Sequence, residues 1–415
     1  MAICEILSVG TELLLGEILD TNGRYLSVEL ASMGISVLRR STVGDNFERL
    51  VETFETAISR SDIVIATGGL GPTDDDITVE AACKAFGFET VYDEAVAEKI
   101  KGYFRNKSVP MPESNLKQAY VPKGGTVFEN RNGTAPGMGM KKKGKCVVIL
   151  PGPPYEMTQI FSDSIKDYLE EYRTCTIVSH EIRTIGISES LLAEKCSDLL
   201  ENENPTLAPY CKVGEALLRI SAKAADEKEA HEIMKPVLDE VKSRVGEYIY
   251  GIDVTGIEQT VVALLKENRM TVATAESCTA GLISKRITDI PGASSVFRHG
   301  VVSYANEVKH SVLGVNEETL EKYGAVSSRT ACEMAEGIRR ISGADFGLSV
   351  TGFAGPDSDE EGKAPGLIYY ALSSAKGTYC GKTETGRNDR DYNRTVAASQ
   401  ALNLIRLYFN GSLTR

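Results

Sequence analysis

The stretch Thr271-Val-Ala-Thr-Ala-Glu-Ser-Cys-Thr-Ala-Gly281 predicts a strand followed by a helix in the C-terminal segment of this chain. Its first half is apolar and β-branched, which predicts a buried strand, and a helix-forming segment follows the acid and the hydroxyl residues. This layout predicts Ser277 between the carboxyl end of a strand and the amino end of a helix, where unpaired N–H groups favour negative charge. A hydroxyl in that position becomes a nucleophile when a base reaches it, so the stretch predicts a catalytic site.

The bulk composition predicts a folded protein of more than one domain. The 415 residues exceed one ordinary core, and 42% hydrophobic with 25% charged residues is typical of globular chains. No apolar run approaches the ~18–20 residues of a membrane span. The N-terminus predicts a first strand and not a signal peptide.

Cysteine usage and charge restrict the class of partner. The 9 cysteines are scattered singly without a CxxC motif, so neither a disulfide framework nor a zinc site is expected, and a reducing cytoplasm is predicted. A net charge of −12 disfavours a surface that tracks nucleic-acid phosphates and favours a small ligand.

Hydrophobic periodicity divides the chain into three segments. Residues 1–170 and 257–415 alternate strands with helices, which predicts βαβ units on mostly parallel sheets. Residues 171–252 predict a small α+β module with turns at Asn204-Pro205 and Gly214. The expected fold class is therefore α/β: two three-layer αβα domains flanking a small α+β module. The strands that anchor this prediction are 2–9, 36–42, 62–67, 145–150, 270–275, 300–305, 346–351 and 367–374.

Three predicted strand ends in the last segment carry hydroxyl, amide and cationic groups: residues 275–277, 303–309 and 349–356. Ligands of parallel α/β sheets bind outside the carboxyl ends of strands, so the three ends are expected at one pocket. Lys309 is the best-placed base for Ser277, and it must be partly desolvated to act near neutral pH. Lys285 lies about 12 Å along the predicted helix and is the poorer candidate.

Further groups in this segment suit an anion. The turn Thr351-Gly-Phe-Ala-Gly355 brings backbone N–H groups close to an oxyanion or a phosphate. Arg390 and Arg394 share a helix face and form a phosphate clamp if the helix begins early enough. Taken singly, Ser277 is an N-cap and Lys309 is solvated surface; the coincidence at three strand ends favours the catalytic interpretation.

The ordered motifs Ala-Glu-Ser-Cys-Thr, Tyr-x-Asn-x-x-Lys, Gly-Ala-Val-Ser and Thr-Gly-x-Ala-Gly-Pro resemble the CinA C-terminal domain over residues 257–415. The resemblance implies a nicotinamide-nucleotide amidase that converts nicotinamide mononucleotide to nicotinate mononucleotide and ammonia without a cofactor. It implies catalysis by Ser277 and Lys309, oriented by Tyr304 and Thr279. The implied substrate-binding residues are Asn306, Thr351, Gly352, Gly355, Arg387, Arg390 and Arg394, with the choice between Arg387 and Arg390 left open. Ala280 stands where the family more often has glycine.

The N-terminal segment carries its own candidate site in Gly68-Gly-Leu-Gly-Pro-Thr-Asp-Asp-Asp-Ile-Thr78, which follows the predicted strand 62–67. Glycines let a backbone approach a phosphate, and a following helix start adds free N–H groups. Asp75 and Asp76 suggest a bridging Mg²⁺ or Mn²⁺, since bare acids repel phosphate. The alternative is a turn followed by acids that the helix dipole favours.

This segment is similar to the molybdopterin-binding fold and to the CinA N-terminal domain, on the motifs Val9-Gly-Thr-Glu-Leu13, Gly68–Thr78, Asn115-x-Lys-Gln118, Asn132-Gly-Thr-Ala-Pro-Gly137 and Leu150-Pro-Gly-Pro-Pro154. The resemblance implies a metal-dependent ADP-ribose pyrophosphatase that yields AMP and ribose 5-phosphate, with Mg²⁺ or Mn²⁺, with or without K⁺. The implied metal ligands are Asp75, Asp76 and Asp20. The implied substrate-binding residues are Gly68, Gly69, Gly71, Thr73, Thr78 and Asn22.

The middle module resembles a KH-type domain but lacks the GxxG loop with which such domains clamp nucleic acid, so a structural or dimerising spacer is expected. The expected partners are nicotinamide mononucleotide, ADP-ribose and a second copy of the chain, with no nucleic acid and no membrane. The alternative is a molybdopterin-handling or competence-related binding protein whose amidase domain is inactive.

Overall fold

The structure is a computed structural model, and it describes residues 2–356 and 364–413. Contacts divide the chain into two compact units, one of Met1–Val178 with Lys223–Glu232 and one of Ser179–Ala222 with Ile233–Arg415. Among the described residues, none of the helices has the length and apolar character needed to cross a membrane.

The first unit is built on a six-stranded sheet of order β2-β1-β3-β8-β7-β6. Strands β1, β2, β3 and β8 are parallel, and β7 and β6 continue the sheet antiparallel. A separate pair joins β4 to β5. The elements are β1 Ile3–Val9, α1 Thr11–Leu15, α2 Thr21–Ser32, β2 Ser36–Val43, α3 Phe47–Arg60, β3 Ile63–Thr67, α4 Thr78–Phe86, β4 Thr90–Tyr92, α5 Glu94–Lys107, β5 Tyr120–Pro122, β6 Thr126–Phe128, β7 Gly137–Lys142, β8 Lys145–Leu150, α6 Pro154–Ile160 and α7 Lys166–Tyr168.

Both faces of this sheet are covered, which gives three layers. One core packs α3, α4 and α5 against the sheet, and Phe54 lies fully buried in it. The opposite core packs α2 and α6 against the other face around Phe161. Residues of β3 are buried on both faces, as a central parallel strand requires.

A four-stranded antiparallel sheet of order β10-β11-β9-β12 follows. Its strands are β9 Thr176–Thr184, β10 Thr206–Lys212, β11 Glu215–Ala224 and β12 Ile249–Ile252, and its helices are α8 Glu189–Lys195 and α9 Glu227–Val245. The predicted turns at Asn204-Pro205 and Gly214 both precede a strand. The expected α+β pattern is confirmed for this stretch.

The C-terminal sheet has five strands in the order β14-β13-β15-β16-β17. Strand β13 is parallel to both β14 and β15, so the carboxyl ends of these three strands share one edge. The elements are α10 Ile257–Glu267, β13 Val272–Glu276, α11 Leu282–Thr288, β14 Phe297–Val302, α12 Asn306–Ser311, α13 Glu317–Tyr323, α14 Ser328–Ser342, β15 Phe346–Gly352, β16 Leu367–Ser374, β17 Gly377–Glu384 and α15 Arg390–Phe409.

Helices α10, α11 and α15 cover one face of this sheet, and α14 covers the other. The predicted fold class, α/β with two three-layer domains and a small α+β module between them in the sequence, is therefore confirmed. Two local predictions were wrong. Helix α11 begins at Leu282 and not at Ser277, and β14 spans Phe297–Val302 and not residues 300–305.

Candidate functional site

Ser277 lies in a turn that Glu276 holds in place. Its N–H donates to Val350 O on β15 at 3.0 Å, which ties the turn to the centre of the sheet. The buried Glu276 carboxylate accepts hydrogen bonds from Gly281 N, Ile283 N and both N and Oγ of Ser284. The carboxylate therefore satisfies the free N–H groups at the start of α11, where negative charge is favoured.

The turn between Glu276 and α11 requires a left-handed backbone. Ala280 has φ 48° and Gly281 has φ 92°. An alanine in this conformation is strained because its Cβ approaches the backbone. This strain is the physical reason why glycine suits position 280, and alanine is tolerated there because its side chain is small.

Lys309 is buried at 1% exposure, unusual for a lysine. Its Nζ donates to Ser303 O at 2.9 Å and to Tyr304 O at 3.0 Å. Burial lowers the pKa of Lys309, against weaker opposing effects of Cys278 and Glu307. A neutral amine has two N–H groups and one lone pair. The two carbonyls match the two N–H groups, so the lone pair remains available to accept a proton.

Ser277 and Lys309 line the same cavity, whose volume is about 280 Å³. The remaining lining residues come from the three strand ends that the sequence singled out, from the 325–326 segment and from the start of α15; they are Cys278, Tyr304, Ala325, Val326, Thr351, Gly352, Phe353, Ala354, Gly355 and Arg390. Within the described part of the chain, the hydrogen bonds of Lys309 Nζ go to the two carbonyls and not to Ser277 Oγ. Both groups are thus available to a substrate between them.

The other residues predicted for this site range from fully buried to exposed, and not all of them line the cavity. The Tyr304 side chain is 62% exposed, and its backbone carbonyl is the group that holds Lys309. Thr279 is fully buried and its hydroxyl lacks a partner among the described residues. Thr351 donates its hydroxyl to Ala325 O at 2.7 Å. Asn306 is exposed at the start of α12 and does not line the cavity.

The three arginines are separated by the structure. Arg390 lines the cavity and donates to Gly355 O at 2.8 Å. Arg394 donates to Thr279 O at 2.8 Å, and its buried Nε lacks a partner among the described residues. Arg387 stacks on the Tyr392 ring at 4.2 Å and does not line the cavity. The geometry favours Arg390 over Arg387 at the cavity.

The first unit has a cavity of about 430 Å³ at the carboxyl ends of β1, β3 and β8. Gly68 and Gly69 line it with φ of 105° and 66°. A Cβ on Gly68 would lie 2.1 Å from Val9 O, and one on Gly69 would lie 2.2 Å from Thr78 Oγ1. The two glycines therefore allow the loop to pass close to β1, in a backbone conformation that other residues rarely adopt.

The predicted metal ligands do not form one cluster. Asp20 pairs with Arg40 at 2.5 Å and caps α2 through Gly23 N, which commits its carboxylate to structure. Asp75 and Asp76 also line the cavity, and both carboxylates accept hydrogen bonds from Thr73. Across those residues no three His, Cys, Asp or Glu side chains are grouped to hold a metal.

Asn22 supplies a further observation on cation binding. Its amide nitrogen donates to Thr67 Oγ1 and Gly152 O, while its buried Oδ1 has no partner in the described chain. Asn22 lines the same cavity as Asp75 and Asp76. Oxygen atoms of these types are the ones that bind Mg²⁺ or Mn²⁺ in proteins. Asp20 lines this cavity as well, but Arg40 and Gly23 N already engage its carboxylate.

Three other residues predicted for this site support the loop. Thr73 donates to Asp75 and Asp76, Thr78 donates to Gly68 O at 2.9 Å, and a Cβ on Gly71 would lie 2.4 Å from Asp76 Oδ2. None of the three lines the larger cavity. Their hydrogen bonds and close packing set the shape of the glycine loop.

Comparison with known proteins assigns the family. A sequence model described as the CinA C-terminal domain matches residues 254–409, one of a probable molybdopterin binding domain matches residues 5–171, and one of the damage-inducible protein CinA KH domain matches residues 179–251. A CinA-like protein of Kosmotoga olearia is 46% identical over 403 residues, which cover 97% of this chain and 98% of the relative. The chain belongs to the CinA family.

Other CinA relatives are similar over most of their length. A putative competence-damage inducible protein of Caldicellulosiruptor saccharolyticus is 48% identical over 371 residues, covering 89% of this chain and 90% of the relative. Among solved structures, CinA of Thermoplasma acidophilum is 36% identical and covers 40% of this chain and 98% of its own, with a TM-score of 0.37.

The sequence did not single out two supporting features of this CinA chain. Glu276 was visible only as the acid before the serine, and its capping role depends on where α11 begins. The sequence identifies Asn115-x-Lys-Gln118 as a motif but does not indicate its role. Gln118 donates to Leu70 O and Lys117 donates to Thr73 O, so this motif holds the glycine loop by its carbonyls.

Proposed function

We propose that this chain is a bifunctional hydrolase of pyridine-nucleotide salvage. Its C-terminal site would deamidate nicotinamide mononucleotide to nicotinate mononucleotide and ammonia. The observation that carries this proposal is the buried Lys309 amine, whose two N–H groups already have carbonyl acceptors, in one cavity with Ser277. An amine held in that way is prepared to act as a base.

In the proposed reaction, Ser277 Oγ attacks the carboxamide carbon while Lys309 takes the hydroxyl proton. Lys309 then returns this proton to the leaving nitrogen, and ammonia departs as the C–N bond breaks. A water molecule, deprotonated by the same amine, hydrolyses the acyl-enzyme and releases the carboxylate. One base therefore serves both halves of the reaction.

Two further roles follow from groups at the cavity. Cys278 follows Ser277 and lines the same cavity, so we assign its backbone N–H to the oxyanion that forms on the amide carbonyl. Arg390 is exposed at the cavity rim, and we assign it to the phosphate of the nucleotide. A charged donor that contacts the phosphate and not the reacting carboxamide contributes mainly to binding.

The test is ammonia release from nicotinamide mononucleotide by the purified chain. Ser277→Ala and Lys309→Met are each expected to reduce kcat by at least about 10³-fold, because nucleophile and base act as a unit. Lys285→Met is the matched control, since Lys285 pairs with Asp289 on the exposed face of α11 and does not line the cavity. Ordinary turnover in the Ser277 variant would refute the proposal.

We propose metal-dependent ADP-ribose hydrolysis for the N-terminal site, with AMP and ribose 5-phosphate as products. The supporting observations are the cavity beside Gly68 and Gly69, the Asp75 and Asp76 carboxylates that line it and the orphaned Asn22 oxygen. Asp75, Asp76 and Asn22 would hold Mg²⁺ or Mn²⁺, which would neutralise charge on the diphosphate. The glycine turn would hold the phosphates with backbone N–H groups.

Asp75→Asn tests this second activity against Asp74→Asn. Asp74 is exposed in the same loop but does not line the cavity. AMP formation is expected to fall in the Asp75 variant and to remain in the Asp74 variant, and chelator is expected to abolish it in the parent. AMP formation that persists in chelator would reject the metal. If neither activity is found, the alternative of a molybdopterin-handling or competence-related binding protein remains.

A further inference from the structure

Helix α14 and edge strand β17 face each other with matched spacing. Glu336 on α14 accepts a hydrogen bond from Thr378 Oγ1 on β17 at 2.8 Å. Moving back one helical turn, by four residues and about 6 Å, leads from Glu336 to Cys332. Moving along the strand by two residues, about 6.6 Å on the same face, leads from Thr378 to Cys380. The hydrogen bond therefore sets a register that brings the two cysteines opposite one another.

Two independent contacts agree with this register. Cys380 Sγ lies 3.9 Å from Ser328 O, the carbonyl one turn before Cys332 on α14. Cys332 packs against the small cluster that contains Ala371, and Ala371 is the cross-strand partner of Cys380. Residues directly opposite across a strand pair have Cβ atoms about 5 Å apart, so Cys332 and Cys380 share one neighbour.

The electrostatic environment agrees with direct contact between the thiols. A hydrogen bond from Cys380 lowers the pKa of Cys332, and the same bond raises the pKa of Cys380. Cys380 is exposed and Cys332 is half-buried, so a reagent can reach the pair. Cys146 differs in both respects, since burial raises its pKa to about 12 and it is only 1% exposed. Thiolate character and access are the two conditions for reactive cysteine.

We propose that Cys332 and Cys380 are a reversible redox site that forms an intramolecular disulfide between α14 and β17. The Cys332 thiolate attacks one sulfur of a low-molecular-weight disulfide, RSSR, and releases one thiolate RS⁻. The Cys380 thiolate then attacks the Cys332 sulfur of this mixed disulfide and releases the second RS⁻. Two protein thiols are oxidised, one RSSR is reduced to two thiols, and the two protons leave with them.

The site lies next to the wall of the amidase cavity. Ala325 and Val326 line that cavity, and α14 begins three residues after Ala325, at Ser328. The first turn of α14 is bonded to the same segment, because Thr330 donates to Gly324 O at 2.7 Å. A disulfide fixes its Cβ atoms about 3.8 Å apart, so oxidation would constrain the N-terminal half of α14 against β17. We therefore expect oxidation to alter the cavity wall.

The test uses the full chain equilibrated with reduced and oxidised glutathione, followed by alkylation and peptide mapping. A cross-linked peptide pair containing Cys332 and Cys380 is expected in the parent and lost in Cys380→Ser. Cys211→Ser is the matched control, because Cys211 is also an exposed strand cysteine and the disulfide should form normally. Finding Cys332 and Cys380 alkylated, or each joined only to glutathione, would overturn the proposal.

Coupling to the cavity wall has a readout that needs no activity. Amide hydrogen exchange over residues 324–330 is expected to change on oxidation in the parent and in Cys211→Ser, but not in Cys380→Ser. Identical exchange in the two redox states would overturn the coupling. Ammonia release, which rests on the proposed function, is expected to fall about tenfold on oxidation and to recover with dithiothreitol. A reduced enzyme that releases no ammonia counts against the proposed function alone.

Discussion

At the scale of single residues, the buried environment of Lys309 predicts how the proposed activity depends on pH. Burial lowers its pKa below the ordinary value of 10.5. The proposed base is the neutral amine, so its active fraction rises as pH increases through this lowered pKa. We expect kcat/KM for ammonia release to rise with pH and to reach its plateau below the pKa of an ordinary lysine.

The same shift predicts a stability effect of defined sign. Between the lowered folded pKa and 10.5, the unfolded chain binds more protons at this site than the folded chain. Stability contributed by Lys309 therefore rises with pH across that window. The free energy of unfolding of Lys309→Met relative to the parent should thus decline from neutral to alkaline pH in denaturant titrations. If Lys309→Met instead became more stable relative to the parent as pH rises, the assignment would be contradicted.

The two candidate phosphate-binding arginines can be separated by matched variants. Arg390 lines the cavity and Arg387 stacks on Tyr392 outside it. Arg390→Ala is expected to raise KM for nicotinamide mononucleotide about tenfold or more, because a charged hydrogen bond to phosphate is lost. Arg387→Ala should leave KM nearly unchanged. Steady-state kinetics measures KM for both variants. Equal increases in KM would contradict the assignment of Arg390, rather than Arg387, to the phosphate.

At the scale of elements, the turn from β13 to α11 depends on one carboxylate. Replacing Glu276 by alanine leaves the N–H groups of Gly281, Ile283 and Ser284 without their acceptor. Buried unsatisfied groups are costly, so we expect a loss of about 3 kcal/mol in the free energy of unfolding. Glu267→Ala on the exposed end of α10 is the control and should change stability by less than about 0.5 kcal/mol. Chemical denaturation measures both variants.

At the scale of the whole molecule, the two candidate sites belong to different compact units, each with its own buried core. We therefore expect their activities to be lost separately. Ser277→Ala should abolish ammonia release and leave AMP formation from ADP-ribose intact, and Asp75→Asn should do the reverse. Assays of both products on both variants test this. Loss of both activities in either variant would indicate that the sites depend on one another.

Local pattern in the sequence determined the fold class and the approximate position of both sites. Strand and helix periods follow from which face of each element is buried, and parallel strands bring their carboxyl ends to one edge. This is why residues 277, 309 and 351–355 could be expected at one pocket. The exact start of α11 was misjudged, because Glu276 satisfies the free N–H groups only after the turn has adopted its left-handed conformation.

Only the tertiary structure decided what each polar group bonds to. The two carbonyls that hold Lys309, the pairing of Asp20 with Arg40, the choice of Arg390 and the opposition of Cys332 to Cys380 all depend on exact side-chain positions. Several of these partners are far apart in the chain, so no local pattern encodes their meeting. Packing brings them together, and burial then sets their charge and reactivity.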